Sequence, residues 1–233
     1  MSRIAIMQPY IFPYVGYFQL IAASDQFVFY NDVNFIKKGW IHRNRILLNG
    51  KDFLFTIPCA EISQNKLICE TKIAFAAKDK NKLLLTIHQA YKNAPLFDEV
   101  YSLIEKIIFK EFKCIDELAI HSVKEICTFL NIKTKFLESK GRYNNDGLKK
   151  GDRLIDICLK ENSFHYINTI GGKELYDKED FMKSGVELQF MRPKFLVYKQ
   201  FDNNFVPWLS IIDVLMFNDV MVISSNLNNY ELE

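Results

Sequence analysis

Nowhere in the 233-residue sequence does an apolar run approach the ~20 residues a membrane-crossing helix needs. None of the five cysteines stands in a Cys-x-x-Cys pair, and no two of His42, His88, His121 and His165 are three or four positions apart. The first absence argues against a membrane span. The others argue against a thiolate or histidine metal site, and no motif names a cofactor. An odd set of cysteines, with Cys127 and Cys158 on the apolar side of helical patterns, fits free, mostly buried thiols in a reducing cytoplasm. Charge of one sign is also scarce. Lys plus Arg number 30 against 28 Asp plus Glu, and a net +2 sets up no field that would favour a nucleic acid or a membrane surface. Any anionic ligand must therefore be gripped by a local cluster. Repeats and low-complexity linkers are missing too, so residues 1–233 read as a single domain, a size one core can serve.

What the sequence has is apolar and aromatic: 49% hydrophobic residues, with 20 Phe and 11 Tyr. Ile4–Met7 reads as a strand rather than a signal peptide, because Gln8-Pro9 ends the apolar stretch after a few residues. Pro9 and Pro13 break the chain before a helix over about Tyr14–Ala23, and Gln26–Tyr30 is a second strand of aromatic and β-branched residues. A strand, helix and strand in that order predict parallel pairing of Ile4–Met7 with Phe27–Tyr30. Asn49-Gly50, between Arg45–Leu48 and Asp52–Ile57, signals an antiparallel hairpin. From Asp79 the period changes to 3.6 and three helices follow, ending near Leu130. Asp152 is placed to cap a short helix carrying Leu154, Ile155 and Cys158. Strands near Tyr166–Thr169 and Val186–Phe190, a Gly171-Gly172 turn with a short helix, and a helix after Pro207 complete the reading, with a polar tail after Ser224 expected to fray. The order predicts an α/β fold with a Rossmann-like, mainly parallel sheet and helical insertions.

Three clusters carry candidate chemistry. A parallel strand delivers its carboxyl end into the crevice where open α/β sheets bind ligands, and Gln8, Tyr10, Tyr14 and Tyr17 border that place. Tyrosines there either face a ligand or pack a stiff loop. The second cluster gathers Asp32, Lys38, Trp40, Arg43, Asn44 and Arg45: two forked cations for a carboxylate or phosphate, and an indole face for a sugar or guanidinium. On a strand, Arg43 and Arg45 share one face and Asn44 points opposite. Asp32 is the candidate general base, with the ion-pair partner of an arginine as its plainer reading. Gln8 and Asp32 each follow a strand end on one sheet edge, so Gln8, Tyr10, Tyr14, Asp32, Arg43 and Arg45 are expected in one pocket. In the third cluster, Pro207 to Asp213, Ser210 caps a helix and Asp213 sits in its first turn.

Met7 to Ile21, Asp32-Val33, Trp40-x-x-Arg43-Asn44-Arg45, Tyr91-x-x-Ala94-Pro95-x-Phe97, Arg153-Leu154 and Pro207-x-Leu209-Ser210-Ile211-Ile212-Asp213 together resemble the WbqC-like protein family, over nearly the whole chain. The resemblance implies a role beside bacterial surface-polysaccharide (O-antigen) genes, as an acyl or aminoacyl transferase, glycyl for example, acting on an amino sugar. A nucleotide sugar or other anionic small molecule would be the substrate; a non-catalytic scaffold of a glycan-synthesis complex is the alternative. Cys59 stands where the family often has an aliphatic residue, so no catalytic role falls to it. The strand, proline loop and Gly16-Tyr17 are also similar in layout to pantothenate-synthetase-like nucleotidyltransferases, with Tyr17 in place of a phosphate-contacting histidine. A neutral phenol does not replace that imidazole, which implies a nucleotide-binding fold without adenylyl transfer.

Overall fold

The computed structural model describes residues 2–194, 196–202 and 204–233. Six strands form the main sheet: β1 (Arg3–Met7), β2 (Gln26–Phe29), β5 (Lys135–Glu138), β6 (His165–Thr169), β7 (Glu187–Pro193) and β8 (Tyr230–Leu232). They lie in the order β5-β2-β1-β6-β7-β8, all parallel except β8, which runs antiparallel to β7. A separate hairpin pairs β3 (Arg43–Leu48) with β4 (Lys51–Thr56). Asn49 and Gly50 turn it with φ of 52° and 73°, the left-handed pair that a tight two-residue hairpin requires.

Helix α1 (Val15–Ala22) joins β1 to β2, which pair in parallel with Ala5 opposite Phe27 and Met7 opposite Phe29, as the sequence order predicts. The three amphipathic helices of the middle are α2 (Ala77–Tyr91), α3 (Phe97–Phe109) and α4 (Ile115–Phe129). Helix α5 (Lys150–Lys160) precedes β6, α6 (Lys178–Lys183) precedes β7, and α7 (Ile211–Phe217) and α8 (Val220–Asn226) close the chain before β8.

Side chains of successive strand residues go to opposite layers, and the core divides accordingly. Ala5, Phe27, Phe29 and Ile167 join α1, the middle helices, the hairpin and α7 in the larger apolar cluster. Ile4, Ile6, Val28 and Tyr166 join α5, Phe181 and Phe190 in the smaller one. A parallel sheet covered on both faces explains why β1 and β2 are near-continuous apolar runs. From β1 the chain steps to β2, and from β6 it steps the other way to β7, so the strand order reverses between β1 and β6. The crevice beyond the carboxyl ends at such a reversal is where sheets of this kind take ligands.

Two expectations need correction, and two elements left too little pattern in the sequence to be read. The tail does not fray: Tyr230–Leu232 is a sheet edge, held by Phe190 N–H donating to the Glu233 carbonyl and Glu233 N–H donating back. Strand β5 went unread because Lys135–Glu138 is a short edge with one buried side chain, too little for a periodic signal. Helix α8 was missed because Met221 and Val222 are exposed, which blurs its apolar face. Asp152 lies in the first turn of α5 rather than capping it; the cap position is Lys149, which makes no side-chain cap bond. The cap expected at Ser210 is present, its hydroxyl accepting from Ile212 N–H.

Candidate functional site

Beyond the carboxyl end of β1 the proline-broken segment is fixed atom by atom. Ile11 N–H donates to Ile41 O at 3.1 Å and Phe12 N–H to Ser122 Oγ at 3.3 Å. The Ser210 hydroxyl donates to Phe12 O at 2.7 Å, and Ile211 N–H donates to Pro13 O at 2.8 Å. Asn44, buried on the inner face of β3, donates through Nδ2 to Ile11 O (3.1 Å) and Phe12 O (2.7 Å), while its Oδ1 accepts from Arg45 N–H. These bonds hold Phe12 at a φ of 42° and lay the following turn beneath the hairpin.

A cavity of about 310 Å³ opens there, lined by Tyr10, Pro13, Tyr14, Trp40, Asn44, Arg45 and Trp208. Its walls are rings. The Tyr14 and Trp208 centroids are 5.7 Å apart, and the Arg45 guanidinium lies 5.3 Å over the Trp40 ring, with Arg43 5.7 Å from the same ring. Burial raises the Tyr10 phenol and raises Tyr14 to about 12, so both are neutral hydroxyls at physiological pH.

The structure thus brings together Tyr10, Tyr14, Trp40, Asn44 and Arg45 of the residues expected to bind, and adds Trp208. It does not bring all of them. Tyr17 is buried, donating its hydroxyl to Gln8 O at 2.9 Å and packing on Tyr10 and Phe27, because the third position of α1 faces the sheet. Gln8 is half-buried beside that bond and outside the cavity wall. Lys38 is exposed and borders a separate depression with Asn34, Lys37 and Gln64. Arg43 turns back on its own loop, donating through Nε to Gly39 O at 2.9 Å and through Nη2 to Lys38 O.

Asp32 is engaged elsewhere along the edge. Its Oδ2 accepts from Arg153 Nη2 at 2.8 Å, its carbonyl accepts from Arg153 Nη1 at 3.2 Å, and its Oδ1 accepts from the Ser139 hydroxyl. Arg153 is held in turn by Asn145 and Asp146 and lies 5.0 Å over the Tyr30 ring. The arginine partner of Asp32 therefore comes from α5 rather than from β3, and the expected single pocket divides into an aromatic cavity and a charged cluster.

The arginines and asparagine that suggested a phosphate grip hold the walls instead. Arg45 pairs with Asp52 at 3.2 Å, and its Nη2 is 3.4 Å from Trp208 O. Behind the cavity, buried Asp213 accepts from Tyr91 (2.8 Å), Tyr198 (2.6 Å) and Gln200 (2.6 Å), while Tyr91 Oη accepts from Leu47 N–H at 2.8 Å. This net ties α2 and the hairpin to the segment carrying Trp208. The sequence held one signal for Trp208: it is one of only two tryptophans, and the other is Trp40. All five cysteines are free, and no group of three His, Cys, Asp or Glu side chains is gathered as a metal would need among the described residues.

A family model for the WbqC-like proteins matches residues 8–224, from just after β1 into α8. The chain belongs to the WbqC-like protein family. It is also similar, at 28% identity over 221 residues and 94% of each chain, to the uncharacterized protein Rv1507c of Mycobacterium tuberculosis (strain ATCC 25618 / H37Rv). No solved structure matches. In this WbqC-like chain, no helix among the described residues is long and apolar enough to cross a membrane.

Proposed function

We propose that this WbqC-like protein transfers a small acyl or aminoacyl group to the amine of a sugar during the building of a surface polysaccharide such as O-antigen, with the sugar seated in the aromatic cavity. The observation that carries the reading is the cavity wall: four aromatic rings, two of them indoles, around a space the size of one substituted ring. In the reaction the amine nitrogen attacks the acyl carbonyl carbon and a C–N bond forms. The bond from that carbon to its leaving group breaks, the leaving group taking the electron pair, and the ammonium proton passes to a base. Asp32, in the charged cluster outside the cavity wall, is the residue proposed to receive the proton through water.

The test is mass spectrometry of nucleotide-linked amino sugars incubated with the protein and a panel of acyl thioesters and aminoacyl donors. An amide product that Asp32→Asn abolishes while the fold survives is the expected outcome; no product with any donor counts against transfer. A second reading, a non-catalytic sugar-binding component of a glycan-synthesis complex, is favoured by the ion pair that occupies Asp32. It expects sugar binding with no product, and co-purification of a partner that a surface variant releases.

A further inference from the structure

Among the described residues Arg45 is the only charged one in the cavity wall, and its guanidinium is paired with Asp52. Nη1 faces Asp52, Nη2 approaches Trp208 O, and Nε is sealed from solvent against the protein without a hydrogen-bond partner. Both donors of the Asn44 amide are likewise taken by backbone carbonyls. What remains for a ligand is the two neutral phenols of Tyr10 and Tyr14, whose hydroxyls donate to no acceptor among the described residues, and the ring faces around them.

Trp208 is held there at a cost. Its φ of 61° is left-handed, a region bulky side chains avoid, and 48% of the residue's surface stays exposed, so burial offsets the strain only in part. Both flanks are pinned: Val206 exchanges hydrogen bonds with the buried Gln200 side chain, and Ser210 N–H donates to Arg45 O at 2.8 Å. Strain of this kind persists where the surroundings over-determine it, and it marks ligand clamps.

We propose that Trp40 and Trp208 clamp a non-anionic, hydroxyl-bearing ring, with any phosphate of its carrier left outside the cavity. This rests on the same site as the transferase reading and narrows what the cavity holds to the sugar ring without its phosphates. The two clamping residues are the only tryptophans in the chain, so intrinsic fluorescence of the full-length protein reports the cavity directly. The probes are the methyl glycoside of N-acetylglucosamine, uridine diphosphate alone, and uridine diphosphate N-acetylglucosamine. The sugar and the nucleotide sugar should each give a saturable change in emission, with affinity nearly constant from about 50 to about 500 mM salt. Uridine diphosphate alone should give none. Trp208→Gly should raise the melting temperature by a few degrees, since glycine adopts this φ freely, while weakening sugar binding by about tenfold or more. Trp208→Phe should keep binding within a few-fold.

The proposal is overturned by saturable, salt-sensitive binding of uridine diphosphate at the tryptophans, by no response to the glycoside at about 20 mM, or by a Trp208→Gly protein that keeps its affinity or melts lower. A ring that binds but is never acylated would remove the transferase reading and leave this one standing. Acylation of a sugar that leaves the tryptophan emission unchanged would do the reverse.

Discussion

Arg153 Nη2 donates to Asp32 Oδ2 at 2.8 Å, joining the first turn of α5 to the end of β2 across 121 positions of sequence. Both side chains are largely buried, 8% and 12% exposed, so removing the cation alone strands a carboxylate. Arg153→Ala should cost about 3–5 kcal/mol of stability, and Asp32→Asn less, because the amide oxygen can still accept from Arg153 while its NH2 donates to the Ser139 hydroxyl. Urea unfolding of the two variants checks the order; equal losses would show that the stranded charge is not the source.

Gly16 admits no side chain. A Cβ there would lie 2.4 Å from Tyr14 Cε2 and 2.9 Å from its hydroxyl, so Gly16→Ala must drive the Tyr14 ring out of its place in the wall. The expected outcome is a folded protein whose far-ultraviolet circular dichroism is unchanged and whose affinity for the probe sugar drops at least tenfold, on the order of 1.4 kcal/mol. Unchanged affinity would mean Tyr14 does not shape the site.

Burial raises the Asp213 carboxyl above its ordinary value, against the opposing effect of its bonds to Tyr198, Tyr91 and Gln200. A carboxyl whose folded value lies above its unfolded one binds its proton more tightly when folded. Its contribution is fully present below the unfolded value near 3.9 and is lost as pH rises through the raised folded value. Asp116 is raised by burial in the same direction, but it is common to both proteins and cancels in their difference. The stability difference between wild type and Asp213→Asn, measured by urea unfolding from about pH 4 to pH 8, should therefore shift in favour of the variant as pH rises. A shift the other way would contradict the assignment.

Tyr91→Phe removes one oxygen that serves two partners, the Leu47 amide and Asp213. Each buried group left unmatched costs about 1–3 kcal/mol, so thermal unfolding should show a larger loss than an ordinary Tyr→Phe change gives. A loss within a few tenths of a kcal/mol would show that water replaces the phenol.

The period-2 and period-3.6 runs of the sequence were enough to place β1 beside β2, to find the Asn49-Gly50 hairpin and to find three successive helices, because burial on repeating positions leaves a pattern in the residues themselves. Tyr10, Tyr14, Trp40, Asn44 and Arg45, which line one cavity, stand out in the sequence because they sit after a parallel strand end and in an aromatic, cationic loop. What failed were statements about partners. Whether an arginine binds a ligand or a neighbouring carbonyl depends on contacts such as Arg43 to Gly39 and Asn44 to Phe12, and no local pattern encodes those distances. Asp32 has arginines 11 and 13 positions away and pairs with one 121 away, which only the packing of α5 against the sheet decides. Trp208 was passed over for the opposite reason: its neighbours Ser210 and Asp213 had an adequate structural role.

The most direct test is a crystal structure of the protein with a nucleotide-linked amino sugar. The account predicts the sugar ring between Trp40 and Trp208, within contact distance of the Tyr10 and Tyr14 hydroxyls, its amine on the open side and its diphosphate outside the wall. A sugar ring bound elsewhere, for instance in the depression beside Lys37 and Lys38, or a diphosphate seated against Arg45 with the sugar projecting away, would contradict it.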